Sequence, residues 1–131
     1  MAEQHLRDIR RRSFQYSLRA IKLYHALQEA KDGAGWVIGK QYLRAATSIG
    51  ANIEEAQAGE TRADFVHKYG IAQKESRETI YWLGLLAEGA IVPKRRLAPL
   101  IKETEEIYTV ITAIIRSAKN ANKGYSPRGN G

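Results

Sequence analysis

Apolar residues recur along most of this chain at alternating spacings of three and four, which is the spacing of one face of an α-helix. Segments rich in glycine and proline interrupt the pattern at residues 33–35, at 59 and at 89–93. These breaks leave four stretches of helical composition, and no strand-like alternation competes with them. We therefore predict an all-α protein of four helices.

Each predicted helix has one apolar seam that a core would bury. The seams consist of Ile9, Ser13, Tyr16, Ala20, Leu23, Leu27 and Ala30 in the first helix; Ile38, Tyr42, Ala45, Ile49, Ile53 and Ala56 in the second; Phe65, Tyr69, Ala72, Ser76, Thr79, Leu83 and Leu86 in the third; and Leu97, Leu100, Thr104, Ile107, Ile111, Ile114 and Ala118 in the fourth. Short links between long helices favour antiparallel neighbours. The predicted architecture is an up-down-up-down four-helix bundle.

Two helix starts can be predicted from local signals. Thr61 can cap the third helix, with Asp64 as its partner in an imperfect capping box. Pro99 lacks a backbone N–H, so regular helix in the last stretch is expected to begin or bend there. The polar, glycine-rich end of the chain predicts a flexible basic tail over 122–131, after one domain over 1–121.

The first helix has more apolar surface than one seam requires. A second seam, Phe14, Leu18, Ile21 and His25, runs beside the first. Apolar surface that a small bundle cannot bury favours association between copies. We therefore expect a homo-oligomer.

The 131 residues are sufficient for one domain, and they include no cysteine, which excludes disulfides and thiolate chemistry. No stretch has the roughly 20 uninterrupted apolar residues that a membrane span requires. We expect a cytoplasmic protein without a membrane anchor.

A net charge of +7 is concentrated near the two ends of the sequence. Basic patches attract polyanions, so these cations are candidate nucleic-acid contacts. The candidates are Arg7, Arg10, Arg11, Arg12, Lys94, Arg95, Arg96, Lys119, Lys123 and Arg128. The bundle topology predicts that 10–12 lie at the same end as 119–128, with 94–96 at the opposite pole. Apart from Tyr125, no aromatic residue is expected among these charges, so base-specific recognition is not predicted.

A polar track runs through the middle helices. Its members are Arg44, Ser48, Asn52 and Glu55 on the second helix and Glu75, Arg77 and Glu78 on the third. Buried charges need partners, so this track predicts a polar network between helices or across a subunit boundary. A solvated surface is the alternative.

Catalytic chemistry has little support in the sequence. Adjacent Glu54 and Glu55 point about 100° apart on a helix, which is unsuited to an acid–base pair. Asp64 and His67 form half of a dinuclear metal motif whose second half is missing. His5 and His25 have no suitably spaced ligands. We expect no catalytic residue, no metal and no cofactor.

The second and third helices resemble a known family. The segments are R-A-A-T-S-I-G-A-N-I-E-E-A at 44–56, R-A-D-F at 62–65 and I-A-Q-K-E-S-R-E-T-I-Y-W-L at 71–83. They are similar to four-helix bundle proteins of the 23S rRNA intervening-sequence type, and less closely to accessory variability proteins of diversity-generating retroelements. The matching positions are Arg44, Ser48, Ile49, Asn52, Ile53, Glu54, Phe65, Ala72 and Glu75. The arginines at 10–12 and the tail depart from the family pattern.

The resemblance implies a ring-like homo-oligomer, a pentamer, without enzymatic activity. We therefore expect a homo-oligomeric scaffold that binds RNA or other nucleic acid, DNA included, through its basic clusters. The alternative is a protein-binding adaptor for a partner enzyme such as a reverse transcriptase.

Overall fold

The computed structural model describes the backbone of residues 2–124 and the side chains of residue 4 and residues 6–121. Its four helices are α1 (Ala2–Ala30), α2 (Gly33–Gln57), α3 (Arg62–Glu88) and α4 (Lys94–Gly124). Consecutive helices pack against one another, and α1 closes the bundle against α4. The predicted up-down-up-down four-helix bundle is confirmed. No helix in this described part is long and apolar enough to cross a membrane.

The turns between helices follow from local chemistry. The Asp32 carboxylate accepts from the Gly35 backbone N–H at 2.7 Å, and the Thr61 hydroxyl accepts from the Asp64 N–H at 3.0 Å. Each satisfies an N–H that the helix leaves without a partner. Thr61 is therefore the N-cap that the sequence predicted.

α4 begins five residues before the predicted position. Its first residue is Lys94, and Pro99 lies inside the helix. Pro99 removes the N–H that would bond the Arg95 carbonyl, but Arg95 is exposed near the helix start, where water can satisfy that oxygen. Leu97 and Leu100 are buried and anchor this turn. α4 also continues to Gly124, beyond the predicted boundary at 121, and the rest of the expected tail lies outside the described residues.

The buried core follows the predicted seams closely. Of the seam residues, only Ile38 and Phe65 are half-buried and only Ala30 is exposed. The core also contains a polar cluster, in which the Tyr16 hydroxyl lies 3.0 Å from the Tyr42 hydroxyl and 2.5 Å from that of Thr104. Burial raises the pKa of Tyr16 and of Tyr42. Because the three buried hydroxyl groups can hydrogen-bond with one another in only one alignment of the helices, they fix the register of α1, α2 and α4.

The second seam of α1 stays outside this core. Phe14, Leu18 and Ile21 are 63%, 43% and 38% exposed, and His25 is also exposed. One face of α1 therefore packs in the bundle, and the adjacent apolar face lies on the surface.

Candidate nucleic-acid interface

A groove of about 760 Å³ opens on the surface between α1 and α2. Small residues form its walls: Ser13 and Ser17 of α1, and Gly50 and Ala51 of α2. A Cβ atom on Gly50 would lie 3.4 Å from the Ser13 hydroxyl oxygen, which shows how closely the two helices approach there. The groove lies over this close contact, because the small side chains along it do not project far enough to cover it.

One ion pair joins the two sides of this groove. Arg10 donates to both carboxylate oxygens of Glu54, at 2.8 and 3.0 Å. The hydrogen bond from Arg10 holds the pKa of Glu54 below its ordinary value. This bidentate ion pair links α1 to α2, and the Glu54 carboxylate compensates the charge of one arginine of the triplet.

Three further side chains bring positive charge and an aromatic ring to the same groove. Arg7, Arg11 and Phe14 all line it, and all three are exposed. They are spaced four and three residues apart, so they share one face of α1. The expectation that no aromatic residue lies among the charges of this region was wrong. The spacing from Arg7 to Phe14 was the available signal, and the apolar seam containing Phe14 obscured it.

Arg12 occupies a different environment from its neighbours. Its guanidinium contacts Glu103 at 2.7 Å and Glu106 at 2.9 Å, both on α4. The hydrogen bond to Glu103 raises the pKa of Arg12 further above its already high value. Arg12 therefore serves as a clamp between α1 and α4, and its charge is largely compensated.

The remaining predicted cations are distributed over the bundle. Lys94 pairs with Glu88 at 3.0 Å, while Arg95, Arg96 and Lys119 are exposed. The side chain of residue 123 and the whole of residue 128 lie outside the described residues.

The predicted clustering of the arginine triplet with Lys119 was only partly correct. α1 and α4 are antiparallel, so the amino end of α1 meets the carboxyl end of α4. However, Arg12 reaches Glu106, and Lys119 lies about 20 Å farther along α4 at 1.5 Å per residue. The triplet is therefore beside the middle of α4, separate from the charge at its end.

The polar track joins α2 to α3 within a single chain. Arg44 contacts Glu75 at 3.4 Å and also pairs with Glu78. The Trp82 indole donates to Glu78 at 2.9 Å.

Other members of the track make separate contacts. Glu55 pairs with Lys68 at 2.6 Å, and the Asn52 amide donates to the Ser48 hydroxyl at 3.0 Å. Arg77 is exposed, and among the described side chains it makes no ion pair. The track thus comprises several local contacts along one side of the bundle.

Comparison with known proteins agrees with this geometry. The family described as 23S rRNA-intervening sequence protein matches residues 7–113, which include most of all four helices. The chain belongs to the 23S rRNA-intervening sequence protein family. The residues on which the resemblance was based, from Arg44 to Glu75, all lie within the matched range.

A crystal structure shares the fold of this family member. It is a protein of unknown function from the S23 ribosomal protein family of Bacteroides thetaiotaomicron, 36% identical in sequence. The match covers 86% of this chain and 98% of that chain, with a TM-score of 0.81. A search of curated proteins found no match.

The side chains considered as metal ligands do not gather into a site in this family member. Asp64 and His67 are exposed beside α2, and His25 is exposed on α1. Within the described residues, no three histidine or carboxylate side chains are grouped so that they could hold a metal ion. The side chain of residue 5 lies outside the described residues.

Proposed function

We propose that this member of the 23S rRNA-intervening sequence protein family is a non-enzymatic homo-oligomeric scaffold that binds RNA or other nucleic acid through its basic surface. The observation that carries the proposal is the groove between α1 and α2, where exposed Arg7 and Arg11 stand beside Phe14. Exposed cations on one face of a helix suit contact with phosphates.

Self-association is supported by the apolar surface of the single chain. Besides Phe14, five large apolar side chains of the described residues are exposed, and they lie on three helices. They are Leu18, Ile21, Trp36, Val37 and Tyr81. A small soluble bundle gains stability by covering such a surface, and identical copies are always available to do so. The proposed assembly is a ring of five subunits, as the family resemblance implies.

Sedimentation velocity over a range of protein concentrations tests the assembly. A single species with several times the mass of the 14.7 kDa chain is expected. A compact monomer at every concentration would contradict the homo-oligomer.

The salt dependence of RNA binding tests the other half of the proposal. Electrophoretic mobility titrations between about 50 and 200 mM salt should show affinity falling steeply, because phosphate contacts release counterions. Replacing Arg7 and Arg11 together by Ser should weaken binding of unrelated RNA sequences equally. Lys102→Ser, an exposed change on α4, is the control. Absence of binding at low salt would rule out the nucleic-acid role.

A second candidate function is a protein-binding adaptor for a partner enzyme such as a reverse transcriptase. A second groove, of about 710 Å³, favours it, since its lining is mostly apolar and includes Leu6, Phe65, Val110 and Ile114. Such a lining suits apolar side chains better than phosphates. A purified partner that remains bound after nuclease treatment, and is released by Val110→Asp but not by Arg7→Ser, would favour the adaptor.

A further inference from the structure

We propose that the groove between α1 and α2 binds single-stranded RNA, with one base stacked on Phe14 and the neighbouring phosphates held by Arg7 and Arg11. The inference rests on the proposed nucleic-acid role and specifies its site and its substrate class. Proteins that bind single strands combine a positively charged groove with an aromatic platform for the bases. Both features are present on this one face of α1.

Phe14 is the exposed aromatic ring with the freest face in the described part of the chain. It is 63% exposed. The other two exposed large aromatic side chains already have partners: Lys40 lies 3.9 Å from the ring centre of Trp36, and the ring centres of Tyr81 and Trp82 lie 5.1 Å apart in a T-shaped arrangement. A base can therefore stack on Phe14 without displacing a protein contact.

The cations beside Phe14 are placed along the same line. Arg11 precedes the ring by one helical turn and Arg7 by two, so charge extends in one direction from it. Neither forms an ion pair with a carboxylate among the described side chains. A strand whose base lies on Phe14 can follow α1 toward its amino end and place successive phosphates near these two guanidinium groups.

Hydroxyl groups in the groove favour RNA over DNA. The Ser17 hydroxyl donates to the Ser13 carbonyl at 3.1 Å, and the Thr47 hydroxyl donates to the Leu43 carbonyl at 2.8 Å. Both residues line the groove, and because their protons are committed to the helices, each oxygen can only accept a hydrogen bond from a ligand there. A ribose 2′-hydroxyl can donate to such an acceptor, whereas deoxyribose has no donor there.

Double-stranded RNA does not fit this arrangement. In a duplex both faces of an internal base are already stacked, so no face is available for Phe14. Preference for a single strand is therefore built into the site.

Two substitutions at Phe14 in the 131-residue protein test the stacking. Fluorescence anisotropy would measure the binding of an unstructured 12-nucleotide RNA, a DNA of the same sequence and an RNA duplex. Phe14→Leu keeps an apolar side chain but removes the ring, and should weaken single-stranded RNA binding about tenfold or more. Phe14→Tyr keeps the ring and should stay within about twofold. Duplex binding should be unchanged in both, and the DNA should bind less tightly than the RNA.

Several results would overturn this inference. If Phe14→Leu binds the single-stranded RNA like the unmodified protein, or if single strands and duplexes bind equally, the site is wrong although the general nucleic-acid role stands. If the unmodified protein binds none of the three probes, the proposed function fails as well. A lower mass of Phe14→Leu in sedimentation would assign the ring to a subunit interface, and equal binding of RNA and DNA would refute the 2′-hydroxyl contacts.

A second pair of variants tests the groove without changing the ring. Ala51 is exposed and lines the groove from α2. Ala51→Glu places a negative charge beside the phosphates and should weaken RNA binding, while Ala51→Gln has nearly the same size and should bind several-fold better than the Glu variant. Equal affinities of the two variants would show that the RNA does not pass Ala51.

Discussion

The interface of α2 with α3 and the interface of α2 with α1 differ in how closely side chains fill them. Toward α3, Arg44 reaches Glu75 and Glu78, and the two helices pack extensively against each other. Toward α1, small residues leave an open groove with an exposed aromatic ring at its edge. The α2–α3 interface stabilises the bundle, and the groove between α1 and α2 leaves side chains available to a ligand.

Adjacent residues of α2 show the same contrast at single-residue scale. Glu54 pairs with Arg10 of α1, and Glu55 pairs with Lys68 of α3. Because successive residues of a helix are rotated by about 100°, these neighbouring carboxylates point toward different helices. Two acids that are adjacent in the sequence therefore support two different helix contacts, which agrees with their unsuitability as an acid–base pair.

The largest effect on the free energy of unfolding is expected when the same large side chain is placed at a buried and at an exposed position of α2. Ala45 is fully buried, whereas Ala51 is exposed in the groove. Ala45→Leu should lower the free energy of unfolding by about 1–3 kcal/mol, because the packed interior has no room for three more carbons. Ala51→Leu should change it by less than about 0.5 kcal/mol. Urea unfolding followed by circular dichroism measures both, and equal losses would show that the groove is not open.

An intermediate effect separates a structural arginine from a binding one. Arg12→Ala removes the clamp to Glu103 and Glu106 and should cost about 1 kcal/mol of stability, a value reduced by the partial exposure of the pair. Arg11→Ala should leave the unfolding midpoint unchanged and weaken RNA binding. Unfolding curves and binding titrations of both variants check this prediction. It fails if Arg11→Ala is the less stable variant.

The smallest expected effect concerns pH and the ion pair across the groove. Because Arg10 lowers the pKa of Glu54 in the folded state, the unfolded state takes up a proton first as pH falls below the ordinary value of 4.5. The stability from this pair is thus complete above that value and is lost as pH falls through the folded pKa. Glu54→Gln should be slightly less stable than the unmodified protein at pH 7, and the difference should shrink as pH falls below 4.5. If the stability difference between the unmodified protein and Glu54→Gln grew as pH falls, the lowered pKa of Glu54 in the folded state would be contradicted.

Much of the fold could be predicted because each core seam is a periodic property of one helix. Ile107, Ile111 and Ile114 of α4, for example, are buried as their spacing indicates. A helix start at Pro99 was wrong because the cost of an interior proline depends on whether the carbonyl that it leaves unpaired, here that of Arg95, can reach water, which the pattern alone does not show.

The candidate site was harder to predict because it depends on which neighbour each face of α1 meets. Successive arginines diverge by about 100°: Arg10 contacts α2, Arg12 contacts α4, and Arg11 remains exposed. In the sequence the three consecutive arginines cannot be told apart and were predicted as one cluster. Only the packed bundle separates the two clamps from the free charge and places that charge beside Phe14.

Photo-crosslinking of the protein to single-stranded RNA that contains 4-thiouridine would locate the bound strand, because peptide mass spectrometry identifies the crosslinked residues. We expect crosslinks concentrated in α1 around Phe14 and in α2 from Thr47 to Glu54, and their loss at high salt. Crosslinks confined to α4, or spread evenly over all four helices, would contradict it.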